Sequence, residues 1–491
     1  MLYPERSKYM EDAKKYSIIP VFSEMRTDFD TPVSIFHKVH GDSLLESVES
    51  GENVGRYSFI TIGRIADMYL HGNSIIISEY DAGKIINREK TTVDNPLLKV
   101  KEYITGHRVP EYPGLPPLFG GALGYLGFEA MKYFENVPVK EAGDHSIPDG
   151  ILVTPEVSLV YDMVKRSVTI VVSSVPGTNP EKSYRRAEVL TETVIEQLQL
   201  PVSGMYKGEK KGRTGSMEVT SNVSKSTFLD NVAYCKEQIV NGEIIQVVLS
   251  RKFKVKTDID PFSLYRTLRV MNPSPYLYYL DFNDFHLIGS SPEVMVRLQK
   301  GELLLKPIAG TRKRGLSVEE DNRLAGELLA DPKERAEHLM LVDLGRNDLG
   351  RISVPGSVKV TNYMAVEKYS HVMHIVSTVR GELDSGYDLF DVIRSVFPAG
   401  TLSGAPKIRA VEIINEVEKE RRESYGGMIL FIGFNGNLES CITIRTILLK
   451  DGVATIQAGA GIVADSVPEQ EYEETKNKAM ALLQTIKEAS H

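Results

Sequence analysis

The chain has 491 residues, of which 42% are hydrophobic and 25% charged, so it is long enough for a large globular body with two lobes. Its formal net charge of −8 argues against a nucleic-acid binder, which needs an extended basic face. Its two cysteines, Cys235 and Cys441, exclude a disulfide framework and a cysteine-based zinc site, and they suit a reducing compartment. The longest apolar stretch is much shorter than the roughly 20 residues that span a bilayer, so we expect a cytoplasmic protein without a membrane anchor.

Residues 1–202 are rich in strand signals after a polar, helix-patterned start. The segments RYSFITIG, SIIISEYD, VSLVYDM and SVTIVVSS combine β-branched and aromatic residues and are flanked by Gly, Asp, Asn or Pro. Residues 203–218 then change to Gly, Lys and Ser without apolar periodicity, which predicts a linker between two parts of the chain.

Residues 219–491 mix strands and helices. Helical spacing of apolar residues begins at Phe228 and stops before Gly242, and the strand-like segments IIQVVLSRKFKV, YLYYLDF, FHLIGS, GGMILFIGF, ESCITIRTILLK and VATIQAGAG follow in order. Ser317 with Glu320, and Asp331-Pro332 with Glu334, predict two helix starts, and a last helix is expected from about Ser466. The fold class predicted is α+β, a two-lobed body built on large, mostly antiparallel sheets with helices packed outside.

Two glycine-rich segments imitate nucleotide-binding loops. GTLSGAPK, at 400–407, lacks the spacing and the Lys-Ser/Thr ending of a phosphate-binding loop. GGALGYLGFE, at 120–129, has no βαβ unit around it, and a strand kinked by glycine is the better interpretation.

Carboxylates recur on one face of two predicted helices. Glu334 and Glu337 are three residues apart next to the apolar run of EHLMLVDL, and Glu471, Glu474 and Lys478 align in the same way on the last helix. Such acids commonly form a solvated face with ion pairs. Acids held against apolar residues need a cation or a partner, and two glutamates with water and a substrate carboxylate would suit Mg²⁺.

Further polar candidates lie around the segment KPIAGTRKRG, at 306–315. A Gly-Thr pair, Gly310-Thr311, follows a β-like run and precedes three basic residues, which would favour an anionic ligand. His371 and His374 have no cysteine or aspartate at zinc spacing, so either a core histidine or a proton carrier is expected there.

Several segments taken together resemble anthranilate synthase component I, the large-subunit family of chorismate-utilising enzymes. In order, they are LLES, NPSPYLYYL, GSSPE, PIAGTRKRG, EHLMLVDLGRNDLGR, HVMHIVS, FPAGTLSGAPKIRA, YGGMILFIGF, IRT and QAGAGIVADSVPEQEYEET. They extend from about Leu44 to the C-terminus. The resemblance implies an N-terminal regulatory part with tryptophan-binding elements over 1–202 and a chorismate-binding catalytic part over 219–491.

The resemblance also implies site residues, each at a matching position of this chain. They are, for catalysis, Glu293 (the acid for the departing ring hydroxyl), His374 (pyruvate elimination), Gln246 and Thr401; for substrate binding, Gly310, Thr311, Tyr425, Arg445, Gly459, Ala460, Gly461 and Lys478; for Mg²⁺, Glu337 and Glu474; and for the inhibitor tryptophan, Glu46, Ser47, Pro275, Tyr276 and Leu277. A dianionic substrate needs cations and N–H donors, and loss of a hydroxyl group needs an acid, so these residue types suit the chemistry.

Two positions bear on which chorismate enzyme the chain resembles. Aminodeoxychorismate synthases usually carry a lysine where Ala309 stands, and water-adding isochorismate and salicylate synthases carry a lysine base where Gln246 stands. Neither lysine is present, which favours ammonia as the nucleophile. Neither cysteine lies in a glutaminase-like elbow, so the resemblance implies a separate glutamine amidotransferase subunit. A non-catalytic relative that only binds tryptophan or a partner is the alternative of a different class.

Overall fold

The computed structural model describes residues 2–47, 55–143, 146–202, 217–369 and 372–490. Most of the predicted linker, residues 203–216, lies outside these ranges. Within them, no helix is both long enough and apolar enough to cross a membrane.

Strands form the body of the molecule. In chain order they are β1 Ile19–Arg26, β2 Ser43–Ser47, β3 Tyr57–His71, β4 Ser74–Asp81, β5 Lys84–Thr92, β6 Gly121–Leu126, β7 Gly150–Asp162, β8 Ser167–Ser174, β9 Thr220–Ser221, β10 Gln246–Lys256, β11 Tyr276–Asp281, β12 Phe285–Ser291, β13 Val294–Gln299, β14 Glu302–Leu305, β15 Ile308–Lys313, β16 Lys359–Lys368, β17 Val372–Glu382, β18 Gly404–Ala405, β19 Met428–Gly433, β20 Leu438–Ile442, β21 Thr446–Lys450 and β22 Val453–Ile462.

Helices alternate with groups of strands. They are α1 Arg6–Asp12, α2 Pro32–Val39, α3 Pro96–Gly106, α4 Pro180–Gln199, α5 Lys225–Val240, α6 Pro261–Met271, α7 Val318–Ala330, α8 Pro332–Gly350, α9 Leu389–Val396, α10 Lys407–Val417 and α11 Pro468–Ala489, with short 3₁₀ turns at Phe128–Tyr133 and Gly400–Leu402.

The strands of the described ranges form one connected network of 22, in which the pairings are antiparallel. This architecture confirms the predicted α+β class. Two pairings connect the predicted N-terminal and C-terminal parts: β2 pairs with β11, and β6 pairs with β19. The two parts therefore share one sheet, and the division at 203–218 stays a prediction.

Helix starts follow the capping residues that the sequence offers. Ser317 Oγ accepts a hydrogen bond from the Glu320 N–H before α7, and Asp331 Oδ1 accepts from the N–H groups of Lys333 and Glu334 at the start of α8. The last helix, expected from about Ser466, is α11, which begins at Pro468 without a side-chain cap. The Ser466 hydroxyl accepts instead from the Val463 N–H, in the turn before the helix.

Helix packing places two helices beside the strands that carry the candidate site. α8 contacts β15 and β17, and α11 contacts β22 and α6. Buried leucines on α11, among them Leu482 and Leu483, join the same apolar cluster as Leu264 of α6 and Ile456 of β22. Burial of these apolar side chains fixes which face of each helix points away from the core.

One predicted strand is wrong. The segment ESCITIRTILLK forms two strands, β20 and β21, separated at 443–445. Arg445 has a φ of 49°, in the left-handed region, so the backbone cannot continue as a strand there. The long alternation of apolar residues predicted one strand because no glycine or proline marks the interruption.

Candidate active site

A cavity of about 1200 Å³ opens between β10, β15, β17, β22, α8 and α11. Thirteen predicted site residues line it: Gln246, Glu293, Gly310, Thr311, Glu337, His374, Thr401, Tyr425, Arg445, Gly459, Gly461, Glu474 and Lys478. They come from segments as far apart as β10 and α11, so only the folded chain brings them together. The remaining substrate-binding candidate, Ala460, is buried in the largest apolar cluster and is not part of the lining.

Glu293 is a buried carboxylic acid. It is 9% exposed, follows β12, and its Oε1 accepts a hydrogen bond of 3.2 Å from the Thr401 hydroxyl. Burial raises its pKa to about 8, and the Thr401 hydrogen bond and the positive charge of Arg445 only partly oppose that rise. At neutral pH most Glu293 carboxyl groups therefore carry a proton, which the group can donate to a leaving oxygen.

His374 is held as a neutral base. Its Nδ1 lies 2.9 Å from the Gly310 carbonyl oxygen and 3.1 Å from the Thr311 hydroxyl. Since a carbonyl oxygen only accepts, Nδ1 must carry the proton, which leaves the lone pair of Nε2 free to accept another. Burial lowers the pKa of His374, and nearby Arg445 acts in the same direction.

Gly310 is required by the shape of β15. It has a φ of +67° at an irregularity in the pairing of β15 with β17, between Ala309 and Thr311. A Cβ at this position would lie 3.0 Å from Glu334 Oε2 and 3.1 Å from Leu328 Cδ1. A residue with a side chain would thus be strained and would disturb α7 and α8.

Four carboxylates of α8 and α11 line the cavity, those of Glu337, Asp343, Glu471 and Glu474, and we call Glu337, Glu471 and Glu474 the acidic wall. Burial raises the pKa of Glu337, with a further rise from the negative charges of Glu334 and Glu474. Burial also raises the pKa of Glu471, and Glu474 adds to that rise. Glu337 nevertheless remains accessible to solvent, because it faces the open cavity rather than the core predicted from its apolar neighbours.

Cations balance this wall only in part. Lys478 Nζ lies 2.7 Å from Glu474 Oε1 and donates to the Gly459 carbonyl oxygen at 3.1 Å. Across the described ranges, no set of three metal-binding side chains is close enough to hold an ion unaided. The wall is therefore an incomplete set of hard oxygen donors.

Arg445 faces the cavity without a carboxylate in ion-pair contact within the described part of the chain. Its Nη1 makes a long contact of 3.5 Å with Ser274 Oγ. Burial lowers its pKa, and the acidic groups of Tyr369 and Glu293 partly offset this effect. A guanidinium with free N–H groups in such a cavity is suited to a carboxylate of a ligand.

The basic run after Gly310 does not serve this purpose, so the expectation that it favours an anionic ligand is wrong. Arg312 pairs with Asp331 at 2.9 Å and with Glu334 at 3.3 Å. Arg314 pairs with Asp321. These pairs fix the starts of α7 and α8 against β15, and neither arginine lines the cavity.

The two glycines of QAGAG make room for protein side chains. A Cβ on Gly459 would lie 2.7 Å from the Tyr425 hydroxyl, and one on Gly461 would lie 2.9 Å from Gln246 Nε2. Both polar groups thus reach the cavity across β22. The family resemblance implies substrate binding at this segment, and the structure shows close approach of Tyr425 and Gln246 to it.

Comparison with known proteins agrees with this arrangement. A profile of the chorismate binding enzyme family matches residues 64–484. The chain belongs to this family. Its curated relatives include anthranilate synthase component 1 of Acetivibrio thermocellus, 46% identical over 100% of this chain and 99% of that protein, and of Aquifex aeolicus, 45% identical over 96% of each.

Solved structures place this chorismate-binding chain in the same fold. Anthranilate synthase component I from Streptococcus pneumoniae superposes with a TM-score of 0.75 and 36% identity, over 89% of this chain and 93% of that one. The isochorismate synthase MenF of Escherichia coli has a TM-score of 0.70 at 18% identity, over 98% of each chain, which shows the fold alone. The predicted resemblance to anthranilate synthase component I is confirmed.

The inhibitor candidates do not line the cavity of this chorismate-binding enzyme. The buried Glu46 lies on β2 opposite Leu277 of β11, and Ser47 is the last residue of β2. Glu46 Oε1 accepts from the Tyr265 hydroxyl at 2.5 Å and from Arg269 Nε at 2.7 Å. Pro275 and Tyr276 immediately follow the last cavity-lining residue of that segment, Ser274.

Other residues that were not assigned from the sequence also line the cavity, among them Lys333, Tyr369 and Glu471. Lys333 and Glu471 were detectable, because each lies three or four residues from a predicted metal ligand on the same helix face. Tyr369 follows β16, and its ring meets that of His374 edge-on with centroids 5.5 Å apart. No periodic pattern could identify it.

Two other features noted in the sequence are His371 and the segment GTLSGAPK. His371 lies outside the described residues. Lys407 of GTLSGAPK is largely buried, and its Nζ donates to Asp348 Oδ2 and to the Val396 carbonyl oxygen, both at 3.0 Å. That lysine thus links α8, α9 and α10 and is not presented to a phosphate.

Proposed function

We propose that this chain is the large subunit of an anthranilate synthase, which converts chorismate and ammonia into anthranilate and pyruvate in tryptophan biosynthesis. The observation that carries the proposal is one cavity with a protonated buried acid, Glu293, a neutral histidine, His374, and a guanidinium, Arg445, without a carboxylate partner among the described residues. Together with membership of the chorismate binding enzyme family, these groups match the needs of the reaction.

Chorismate carries two carboxylates, and the cavity offers a distinct anchor for each. Arg445 is suited to one of them by a charge-assisted, two-pronged contact. The second, on the ring, would lie at the acidic wall with a cation between the like charges. Lys478 supplies part of that positive charge, since its ammonium already lies against Glu474.

Loss of the ring hydroxyl needs a proton donor. Glu293 is mostly protonated at neutral pH, and the Thr401 hydroxyl fixes its carboxyl group by donating to Oε1. In the first step ammonia attacks the ring, the bond to the hydroxyl oxygen breaks, and Glu293 gives that oxygen its proton. Water leaves and Glu293 becomes a carboxylate.

Elimination of pyruvate needs a base. Nε2 of His374 has a free lone pair because Nδ1 donates to the Gly310 carbonyl oxygen. His374 would accept the ring proton while the bond to the enolpyruvyl oxygen breaks, which makes the ring aromatic. The departing enolate takes up a proton and becomes pyruvate.

The donor set of the acidic wall fits Mg²⁺. Glu337 and Glu474 are hard anionic oxygen donors from two helices. Burial is the main cause of the raised pKa of Glu337, and the negative charges of Glu334 and Glu474 add a rise that a cation would relieve. When bound, Mg²⁺ would supply positive charge for the ring carboxylate and leave positions for water. Glu337 and Glu474 would hold it.

The residues at the two positions that distinguish related enzymes favour ammonia as the nucleophile. Ala309 is 7% exposed and contributes a methyl group to the lining, so no lysine amine stands there as a nucleophile. Gln246 can orient ammonia by hydrogen bonds but cannot act as a base near neutral pH. Water is a poor nucleophile without a base, so both residues favour amination.

Three further features complete the proposal. Ammonia would come from a separate glutamine amidotransferase subunit. Tryptophan would inhibit by binding beside β2 and β11, at Glu46, Ser47, Pro275, Tyr276 and Leu277. A cytoplasmic location fits two cysteines that are both buried and free.

Incubation of the purified chain with chorismate, Mg²⁺ and ammonium tests the assignment through anthranilate fluorescence. We expect anthranilate and pyruvate in equal amounts, and use of glutamine only after an amidotransferase subunit is added. Product analysis by chromatography separates the alternatives. Isochorismate, salicylate or 4-amino-4-deoxychorismate as the main product would overturn the proposal, as would glutamine use by the isolated chain. No turnover would favour a non-catalytic relative.

A further inference from the structure

The buried side chain of Arg422 lies behind the wall of the cavity. It is 2% exposed and is not part of the lining. Its Nε and Nη2 donate to the two carboxylate oxygens of Glu418 at 2.8 and 2.6 Å. Its guanidinium also stacks on Phe128, 4.6 Å from the ring centroid. A charge so deeply buried is retained only where its partners satisfy it.

The same guanidinium joins two segments that carry site residues. Nη1 donates to the Leu402 carbonyl oxygen and Nη2 to the Val248 carbonyl oxygen, both at 2.7 Å. Leu402 directly follows Thr401, whose hydroxyl donates to Glu293. Val248 lies two residues after Gln246 on β10, and both line the cavity.

Glu418, the partner of Arg422, is also hydrogen-bonded to β10. Glu418 Oε1 accepts from the N–H and the hydroxyl of Ser250 on β10, at 2.8 and 2.9 Å. The Val248 N–H donates to the Ser403 carbonyl oxygen at 2.9 Å. The ion pair of Arg422 and Glu418 therefore lies between β10 and the turn Gly400–Leu402, and it connects them in addition to the backbone hydrogen bond.

We propose that Arg422 is a positioning residue, which through the Leu402 carbonyl holds the Thr401 hydroxyl on the carboxyl group of Glu293. The proposal rests on the proposed function for its kinetic part. Arginine is required because its planar guanidinium reaches Glu418 and two carbonyl oxygens at once, whereas a lysine ammonium on a flexible stem cannot do so in one plane.

The chain offers a matched control in the adjacent Arg421, which is also buried, at 8% exposure. Arg421 pairs with Asp149 and contacts the Lys140 carbonyl oxygen, on the side of the N-terminal part.

A double-mutant cycle tests the proposal. Arg422→Lys should lower kcat by about tenfold with little change in KM, because a small displacement of an acid from its productive geometry has that order of cost. Thr401→Val should cause a similar loss, and the double variant should be little worse than either single one. Arg421→Lys should leave kcat within about twofold and combine independently with Thr401→Val. Circular dichroism and thermal unfolding show whether each variant is folded.

A second measurement does not depend on turnover. The Thr401 hydrogen bond lowers the pKa of Glu293, and Arg445 is the charged group that acts on it within the described residues. Loss of the bond should therefore raise the Glu293 pKa in Arg422→Lys and in Thr401→Val, and leave it unchanged in Arg421→Lys. Carbon NMR of the labelled carboxyl group, assigned with Glu293→Gln, measures it even if the wild type consumes no chorismate.

Defined outcomes overturn the proposal. They are independent losses in Arg422→Lys and Thr401→Val, a folded Arg422→Lys with wild-type kcat and Glu293 pKa, or equal losses in the Arg421→Lys control. Should Arg422→Lys fail to fold, Glu418→Gln replaces it in the same cycle. Glutamine keeps the shape and one acceptor but removes the charge that holds the guanidinium in place, so the same coupling with Thr401→Val is required.

Discussion

Glutamates at two regions of one cavity have opposite environments. Glu337 and Glu474, on the acidic wall, are accessible to solvent and close to other charged side chains. Glu293 is buried, with the neutral Thr401 hydroxyl as its hydrogen-bond partner. Crowded, wet carboxylates attract a cation, whereas a dry, isolated carboxyl group keeps its proton. The same side chain can thus serve as a metal ligand in one region and as an acid in the other.

Removal of the acid should have the largest effect. Glu293→Gln keeps the shape of the side chain and loses the proton, so anthranilate formation should fall about 10²- to 10⁴-fold. Initial rates from fluorescence measure this loss. Glu302→Gln, at an exposed glutamate of β14, is the control and should remain fully active. Near-normal activity of Glu293→Gln would assign the acid to another group.

The acid should also limit the pH range of the wild type. The active form of Glu293 is protonated, and its pKa is raised to about 8, so kcat/KM at a fixed concentration of free ammonia should fall as the pH rises through about 8. Below that pH Glu293 is protonated, and its titration no longer changes kcat/KM. A profile without a basic limb would contradict the assignment.

Loss of a ligand on the acidic wall should rank next. Glu337→Gln or Glu474→Gln should reduce turnover at limiting Mg²⁺ by about 100-fold. Loss of a group that only supports a metal ligand costs about 10- to 100-fold, and loss of a ligand itself should reach the upper end of that range. The fold should stay intact, because both side chains are accessible. Titration of Mg²⁺ against rate is the measurement. Glu473→Gln, on the same helix and paired with Lys476, should behave as the wild type.

A charge added elsewhere in the cavity lining should matter less than the acid itself. Ala309→Lys places an ammonium group in the cavity lining and should lower anthranilate formation by about tenfold through crowding and charge, without necessarily creating a new activity. Ala309→Met adds length without charge and separates the two causes. If lysine and methionine reduce the rate equally, charge has no part in the effect.

The smallest effect on catalysis is expected outside both regions. Ser47→Phe should fill the proposed tryptophan site at the end of β2 and relieve the proposed inhibition, with little change in the uninhibited rate. Rates with and without tryptophan measure the two quantities separately. Inhibition as strong as in the wild type would show that tryptophan binds elsewhere.

Local features of this molecule were readable from the sequence, because they depend on near neighbours. The caps at Ser317 and Asp331 follow from side chains that reach an N–H two or three residues away. The shared helix face of Glu471, Glu474 and Lys478 follows from 3.6 residues per turn. Strands such as β8 and β19 follow from their β-branched and other apolar residues. The family segments pointed to most of the cavity lining.

The tertiary structure alone decided what each charged group faces. Arg312 and Arg314 are of the same residue type as Arg445, yet they pair with Asp331, the N-cap of α8, and with Asp321 in the first turn of α7. Arg445, at a positive φ, faces the cavity instead. The carboxylate partners of Arg312 and Arg314 lie 7 to 22 residues away along the chain, whereas Ser274 and Glu293, which act on Arg445, lie more than 100 residues away. The protonation of Glu293 and the hydrogen bonds of the Arg422 guanidinium also depend on the fold, because distant groups exclude water from both side chains.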